Sequence, residues 1–199
     1  MLLLVLCAFV GTATSAADGE IVRRVENRAF SKQDRVLPRV GLAYWTRGDL
    51  RENPGIRIDA SWYPSERFGL DLISATLFFS TLDASADDLR RIYGALPDSQ
   101  RPIARVTAGP RFAFAYGKLL IEGLDVVVHM DASLALHLGA ISTDVTTNFA
   151  FDLELAFQAL FADRFVGFVS ISAIGSYEAR TRSSFDAGPM ISGGLGIVL

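Results

Sequence analysis

Four side chains capable of chemistry alternate along the segment 126–140. His129, Asp131, Ser133 and His137 all occupy odd positions, so in a strand they would project from one face. A serine, a histidine and a carboxylate could form a hydrolytic triad, and two histidines with an aspartate could bind a metal ion. Alternate residues of one strand lie about 6.5–7 Å apart, which is too far for direct contact between nucleophile and base. The two histidines are eight residues apart and would lie at opposite ends of the strand, too far apart to share a metal ion. We therefore expect no catalytic or metal site here.

Instead, His129 and Asp131 are expected to pair with arginines on neighbouring strands. Arg105 and Arg111 are the candidates, because both fall in another alternating segment. An unpaired charge in a dry interior is costly, so such a pairing would satisfy both partners.

Strict alternation of apolar and polar residues dominates the chain from residue 39 onward. In 149–161, for example, Phe151, Leu153 and Leu155 alternate with Asp152 and Glu154. Eight runs of this kind predict eight strands, at about 39–47, 54–63, 67–80, 103–116, 125–140, 147–161, 165–178 and 187–199. One segment, Ala84–Leu96, has a helical pattern and lies inside the longest connection, 81–102.

The connections between these strands alternate in length. Pro64–Arg67 and Ala162–Arg164 are predicted tight turns, the connection at 117–124 is moderately short with Gly117-Lys118 as the strand exit, and the longer loops are 81–102, 141–146 and 179–186. This pattern is typical of an all-β, eight-stranded antiparallel up-and-down transmembrane β-barrel, with the N-terminus in the periplasm and loop 81–102 outside the cell. Pro110 and Pro189 are expected at bulges or strand starts, since proline cannot donate to a ladder.

Period two alone does not distinguish this barrel from a soluble one, whose lumen is apolar and whose outside is polar. The polar face here mixes both signs of charge among Gly, Ala and Ser, which favours charges that pair across a narrow lumen. The residues predicted to form this lumen charge network are Arg57, Asp59, Asp71, Arg105, Arg111, His129, Asp131, His137, Asp152 and Glu154.

Aromatic residues of the apolar face collect near the predicted strand ends, where an amphipathic ring suits a membrane–water boundary. The expected membrane-interface aromatics are Trp62, Phe68, Tyr116, Phe161 and Phe165 at the periplasmic end, and Tyr44 and Tyr177 at the opposite end. Both signals favour the membrane barrel over the soluble one.

The amino-acid composition and charge argue against other classes of function, namely nucleic-acid binding and cofactor binding. Hydrophobic residues make up 50% of the chain and the mean hydropathy is +0.31. The formal net charge of −3 provides no basic footprint, so no nucleic-acid partner is expected. The glycines at 193–196 lie within a predicted strand and open no helix, so no phosphate loop or cofactor is predicted.

The N-terminus has the features of an export signal. An apolar run at 2–10 is followed by small residues, which predicts a signal peptide over 1–17 and places the single cysteine, Cys7, inside it. A polar N-terminal segment over 18–38 and an outer-membrane β-barrel domain over 39–199 would follow. Because 18–38 holds nine charged side chains, we expect it to be solvated.

Three stretches also resemble a known family. Tyr63-Pro64-Ser65-Glu66, Tyr116-Gly117-Lys118 and His129-Met130-Asp131 are similar to short motifs of the small outer-membrane β-barrel domain proteins common in delta-proteobacterial genomes. The resemblance implies an OmpA- or OmpX-like eight-stranded barrel in the bacterial outer membrane. It implies little about activity, because that family is mostly defined by architecture.

The expected function is therefore that of a non-enzymatic outer-membrane barrel with a polar, largely filled lumen, since eight strands leave an interior that side chains nearly fill. It would serve envelope structure, or present loop 81–102 to an extracellular partner, with the lipid bilayer as its surroundings. A narrow conduit for small molecules is the alternative, and a lipid-modifying enzyme is a more distant one.

Overall fold

A computed structural model describes residues 31–47, 50–94, 100–121, 126–161, 164–178 and 185–199. The described chain is almost entirely strand, as the alternating pattern predicts. Its elements are β1 (Arg35–Thr46), β2 (Arg51–Tyr63), β3 (Phe68–Phe78), β4 (Thr81–Leu82), α1 (Ala84–Tyr93), β5 (Pro102–Ile121), β6 (Val126–Thr143), β7 (Thr147–Phe161), β8 (Phe165–Tyr177) and β9 (Phe185–Ile197).

Eight long strands close into one barrel. Each pairs antiparallel with its neighbours along the chain, and β1 joins both β2 and β9, which closes the sheet. The two-residue strand β4 adds to the end of β2 outside this ring. The predicted eight-stranded antiparallel barrel is confirmed. No helix among the described residues is both long and apolar enough to cross a membrane.

The barrel has two distinct ends. At the α1 end, the 79–101 connection carries the helix α1. At the opposite end, which we call the Lys32 end, β1 begins, β9 ends, and residues 64–67 connect β2 to β3. β7 ends and β8 begins at this end as well. The predicted turn at Pro64–Arg67 is present, and the Phe68 amide donates to Ser65 Oγ at 3.1 Å within it.

Three boundaries differ from the sequence-based expectation. β1 begins at Arg35, four residues earlier than the expected barrel boundary at 39. The expected exit of β5 at Gly117-Lys118 is wrong, because the β5–β6 ladder continues as far as the pair Ile121 and Val126. The expected long loop at 141–146 is also wrong, because only residues 144–146 separate β6 from β7.

The predicted helix is present but shorter than expected. α1 ends at Tyr93, where Gly94 adopts a left-handed conformation with φ of 65° and donates its amide hydrogen to the Arg90 carbonyl oxygen at 3.0 Å. This is a common helix termination, since glycine reaches positive φ without steric cost. Residues 95 and 96 lie outside the described residues.

A β-bulge at Phe114 reverses the faces of β5. Ala113 pairs with Ser133, but Ala115 pairs with Ala132, so the β6 register advances by one residue for two residues of β5. After the bulge, Tyr116 lies opposite Asp131, whose side chain faces the interior. The assignment of Tyr116 to the outer aromatic belt is therefore wrong, because strict alternation from Phe112 fails at the extra residue.

The expectation that Pro110 and Pro189 lie at bulges or strand starts is wrong, because both lie inside β5 and β9 with no register shift of their own strand at either residue. Both nevertheless occupy weakly paired positions, which suits their missing N–H group. On the β6 side of β5, the ladder pairs Ala108 with Leu138 and next Arg111 with Ala135, which leaves Pro110 out of it. Pro189 pairs with β8, but the ladder between β9 and β1 begins only at the following residue, Met190. A bulge in β3, between Asp71 and Ser74, also lies next to Pro110.

The two faces of the barrel wall have opposite character. Apolar side chains of every long strand are exposed on the outside, by 50–72% in one example from each strand: Leu42, Ile58, Leu77, Phe112, Leu138, Phe157, Val169 and Leu195. The interior instead holds buried arginines, carboxylates and hydroxyl groups. This distribution is inverted relative to a soluble barrel and is that of a transmembrane barrel.

Candidate functional site: a charge network in the barrel lumen

All ten residues predicted for the lumen network face the interior and are at most 5% exposed. The structure brings eight of them together in the middle of the barrel with one further arginine, Arg39. We call this group the central network: Arg39, Arg57, Asp59, Asp71, Arg105, Arg111, His137, Asp152 and Glu154. Four guanidinium groups thus face four carboxylates.

Asp71, at the bulge of β3, is the hub of the central network. Arg111 contacts both of its oxygens, with Nη2 at 2.7 Å from Oδ2 and Nε at 3.1 Å from Oδ1, which is a bidentate contact. His137 Nε2 lies 2.6 Å from Oδ2, and Ser61 donates to Oδ1 at 2.5 Å. Arg39 approaches to 3.8 Å. One carboxylate therefore connects four other strands.

Glu154 of β7 links two arginines. Its Oε1 lies 2.7 Å from Arg111 Nη2, and its Oε2 lies 2.5 Å from Arg57 Nη2. Arg57 also donates to Asp59 Oδ1 at 2.8 Å and to the Ser192 hydroxyl at 3.0 Å. Because guanidinium groups present several donors in a fixed plane, each arginine can hold carboxylates from opposite sides of the barrel.

His137 and Arg105 share the remaining carboxylate, Asp152. His137 Nδ1 lies 2.6 Å from Asp152 Oδ1, so its ring bridges Asp152 and Asp71 through both nitrogens. Arg105 Nη1 donates to Asp152 Oδ2. Strands β3, β5, β6 and β7 are thereby joined across the lumen rather than only through their ladders.

The predicted partners of His129 and Asp131 are wrong. The two residues lie at the Lys32 end, away from the arginines: His129 Nδ1 is 2.6 Å from the Tyr116 hydroxyl, and Asp131 Oδ2 is 2.7 Å from Lys32 Nζ. Lys32 comes from the segment expected to be solvated, yet it is 4% exposed and lies 4.6 Å from the centre of the Tyr63 ring. This N-terminal residue therefore occupies the mouth of the barrel.

Apolar side chains close the interior on both sides of the central network. At the α1 end they form one layer: Ala43, Trp45, Phe78, Ile141, Ala150, Ile174 and Met190. At the Lys32 end they form another: Leu37, Tyr63, Leu160, Val166 and Val198. The network is therefore enclosed between two apolar layers, which the alternation pattern alone did not predict.

A second ionic cluster covers the layer at the α1 end. Arg47 Nη2 lies 2.9 Å from both carboxylate oxygens of Glu178, and its Nε is 2.6 Å from Asp186 Oδ2. Its guanidinium carbon lies 4.8 Å from the ring centre of Trp45. This cluster ties Arg47, the residue after β1, to the residue that follows β8 and to the start of β9.

The geometry assembles neither of the chemical sites considered from the sequence. Ser133 Oγ accepts a hydrogen bond from Arg111 at 2.9 Å, while His129 and His137 have the different partners described above. His137, Asp152 and Glu154 could each present a ligand atom within 4.8 Å of the others. However, arginines already contact both carboxylates, so a metal ion would have to displace a guanidinium group. The arrangement suits internal charge pairing.

The remaining predicted interface aromatics lie on the outer wall near the strand ends. They are 39–60% exposed: Tyr44, Trp62, Phe68, Phe161, Phe165 and Tyr177. Their role at a membrane boundary stays a prediction.

Comparison with known proteins shows similarity at the level of the fold. No protein-family model matches the chain, and no curated protein sequence matches it. The resemblance to the delta-proteobacterial family therefore stays a prediction.

Three solved structures are similar to this chain. The N-terminal β-barrel domain of Pseudomonas aeruginosa OprF is 10% identical, with a TM-score of 0.38, and covers 84% of this chain and 98% of its own. Neisserial surface protein A (NspA) is 11% identical, with a TM-score of 0.42, and the match covers 82% of this chain and 95% of NspA. Ail, the attachment invasion locus protein of Yersinia pestis, is 12% identical, with a TM-score of 0.37, and the match covers 84% of this chain and 99% of Ail. At this distance the argument rests on the strand pairing and the side chains of this chain itself.

Proposed function

We propose that this chain is a non-enzymatic β-barrel of the bacterial outer membrane, whose sealed lumen makes it a rigid membrane anchor for the connections at its α1 end. The observation that carries the proposal is the inverted wall, with exposed apolar side chains outside and buried charges inside. Only a lipid environment stabilises such a continuous apolar outer surface, and closed barrels leave no unpaired strand edge in the bilayer.

The central network supports a structural role over transport. Guanidinium groups and carboxylates from different strands contact one another directly across the lumen, at 2.5 Å for Arg57 with Glu154 and at 2.7 Å for Arg111 with Glu154. A permeating solute would have to break these contacts and then cross an apolar layer at each end. A conduit is therefore the less favoured function.

Planar-bilayer recording tests this choice directly. We expect the refolded protein to give no steady single-channel steps. Steady, reproducible conductance would refute the sealed lumen and favour the conduit. A variant with Trp45→Ala and Ile174→Ala, which truncates the layer at the α1 end, serves as the comparison and should raise the frequency of transient openings.

The outer-membrane location is tested by fractionation of expressing bacteria together with gel mobility. A folded outer-membrane barrel should sediment with the outer membrane, and boiling should change its mobility on the gel. Recovery as a soluble protein without detergent would overturn the membrane assignment. The partner of the α1-end connections is proposed to be extracellular, with 79–101 as the main contact region.

A further inference from the structure

The helix α1 presents an apolar face that no other part of the described chain covers. Leu89, Ile92 and Tyr93 follow the three- and four-residue spacing of one helix face and are 37%, 64% and 73% exposed. The side away from this face carries the exposed ion pair of Asp88 and Arg91, at 2.8 Å. α1 is therefore an amphipathic helix with its apolar stripe open to the surroundings.

The start of this helix is fixed to the rim of the barrel. Strand β4 pairs with β2 just before it, and the Asp83 amide donates to the Leu50 carbonyl oxygen at 2.9 Å. Ala86, in the first turn, is completely buried. The helix is thus held at one side of the mouth instead of extending freely from it.

The lipid-facing wall runs up to the same place. Leu77 and Phe79, at the end of β3, are 54% and 57% exposed on the outside of the barrel. Only residues 80–83 separate Phe79 from the helix. The apolar stripe of α1 therefore begins where the apolar outer wall ends.

We propose that α1 is an interfacial helix that inserts Leu89, Ile92 and Tyr93 into the lipid leaflet surrounding the α1 end of the barrel. The leaflet is the apolar phase next to the rim, and amphipathic helices lie in such an interface with their apolar face buried. Arg90 and Arg91 in the last turn can donate to lipid phosphate groups. The inference rests on the proposed membrane location and adds a second lipid contact beyond the barrel wall.

Depth-dependent fluorescence quenching tests the proposal. Single cysteines are introduced by Ile92→Cys on the apolar stripe and Arg91→Cys on the polar side, in the full chain carrying Cys7→Ser, and each is labelled with an environment-sensitive dye. Both positions are exposed, so neither variant disturbs the core. In vesicles with brominated acyl chains, the label at 92 should shift to shorter wavelength and be quenched, whereas the label at 91 should do neither.

A third label, at Leu77→Cys on the outer wall, separates the two proposals. Quenching at 77 with equal, weak quenching at 91 and 92 would overturn the interfacial helix while leaving the membrane barrel intact. A lack of quenching at all three positions would overturn the membrane location as well. A label at 92 that is shielded from both brominated lipid and an aqueous quencher would replace the lipid contact by a protein contact.

Discussion

Replacing Asp152 by leucine is the sharpest test of the central network. The substitution roughly preserves side-chain volume but removes the carboxylate that pairs with Arg105 and His137. Both Arg105 and Asp152 have side chains that are 0% exposed. Among the described residues, Asp152 supplies the only hydrogen bond to the Arg105 side chain. The variant therefore leaves a buried cation without its partner.

The expected loss follows from the cost of an uncompensated buried charge. Removing one partner of a buried ion pair costs about 3–5 kcal/mol, whereas replacing both partners by apolar residues is close to neutral. Asp152→Leu should thus lower the free energy of unfolding by about 3–5 kcal/mol, and adding Arg105→Met should restore most of it. Asp88→Leu, at an exposed ion pair on α1, should change it by less than about 0.5 kcal/mol.

Urea-induced unfolding in lipid vesicles, followed by tryptophan fluorescence, measures these differences. The double-variant cycle isolates the pair from the general effect of substitution in the lumen. An unchanged unfolding midpoint for Asp152→Leu would refute the reasoning. So would a double variant as unstable as the sum of the single ones, because the loss would then not come from the stranded arginine.

Two further pairs of substitutions probe the wall. Gly109→Ala should destabilise the barrel by about 3 kcal/mol or more, because its added Cβ would lie 1.9 Å from the Leu136 carbonyl oxygen. At Gly117 no atom lies within 4 Å of an added Cβ, so Gly117→Ala should be tolerated and serves as the control. Equal melting temperatures of the two variants would contradict the close approach of the β5 and β6 backbones at Gly109. Ile171→Arg, at the middle of β8, should cost about 2–4 kcal/mol in vesicles, and Tyr177→Arg at its end about 0–1 kcal/mol. Equal unfolding midpoints for the two arginine variants would indicate a wall that does not face lipid.

Much of the fold could be predicted because period two is a local signal. Asp152 and Glu154 alternate with apolar neighbours, so their common face followed from sequence. The signal fails where one residue breaks the parity, as at Phe114, because a bulge shifts every later side chain of the strand to the other face. Tyr116 was misplaced for this reason alone.

The partners within the lumen could not be predicted in the same way. His137 contacts Asp71, which is 66 residues away and on a non-adjacent strand, so the pair depends on the barrel's tilt and closure. Arg39 lies at the edge of a polar segment and was missed, although its parity matches that of the inward-facing Ala43 and Trp45. Trp45 also shows that an inward position does not imply a polar one, since an apolar layer closes the α1 end.

The two tryptophans of the chain offer the most direct test of the membrane-barrel account. Trp62 is 39% exposed on the outer wall, whereas Trp45 is 0% exposed in the lumen. Each is observed alone in the variants Trp45→Phe and Trp62→Phe, refolded into vesicles with brominated acyl chains. The account predicts strong quenching of Trp62 and little quenching of Trp45. Trp62 emission that responds to aqueous acrylamide but not to brominated lipid would contradict it.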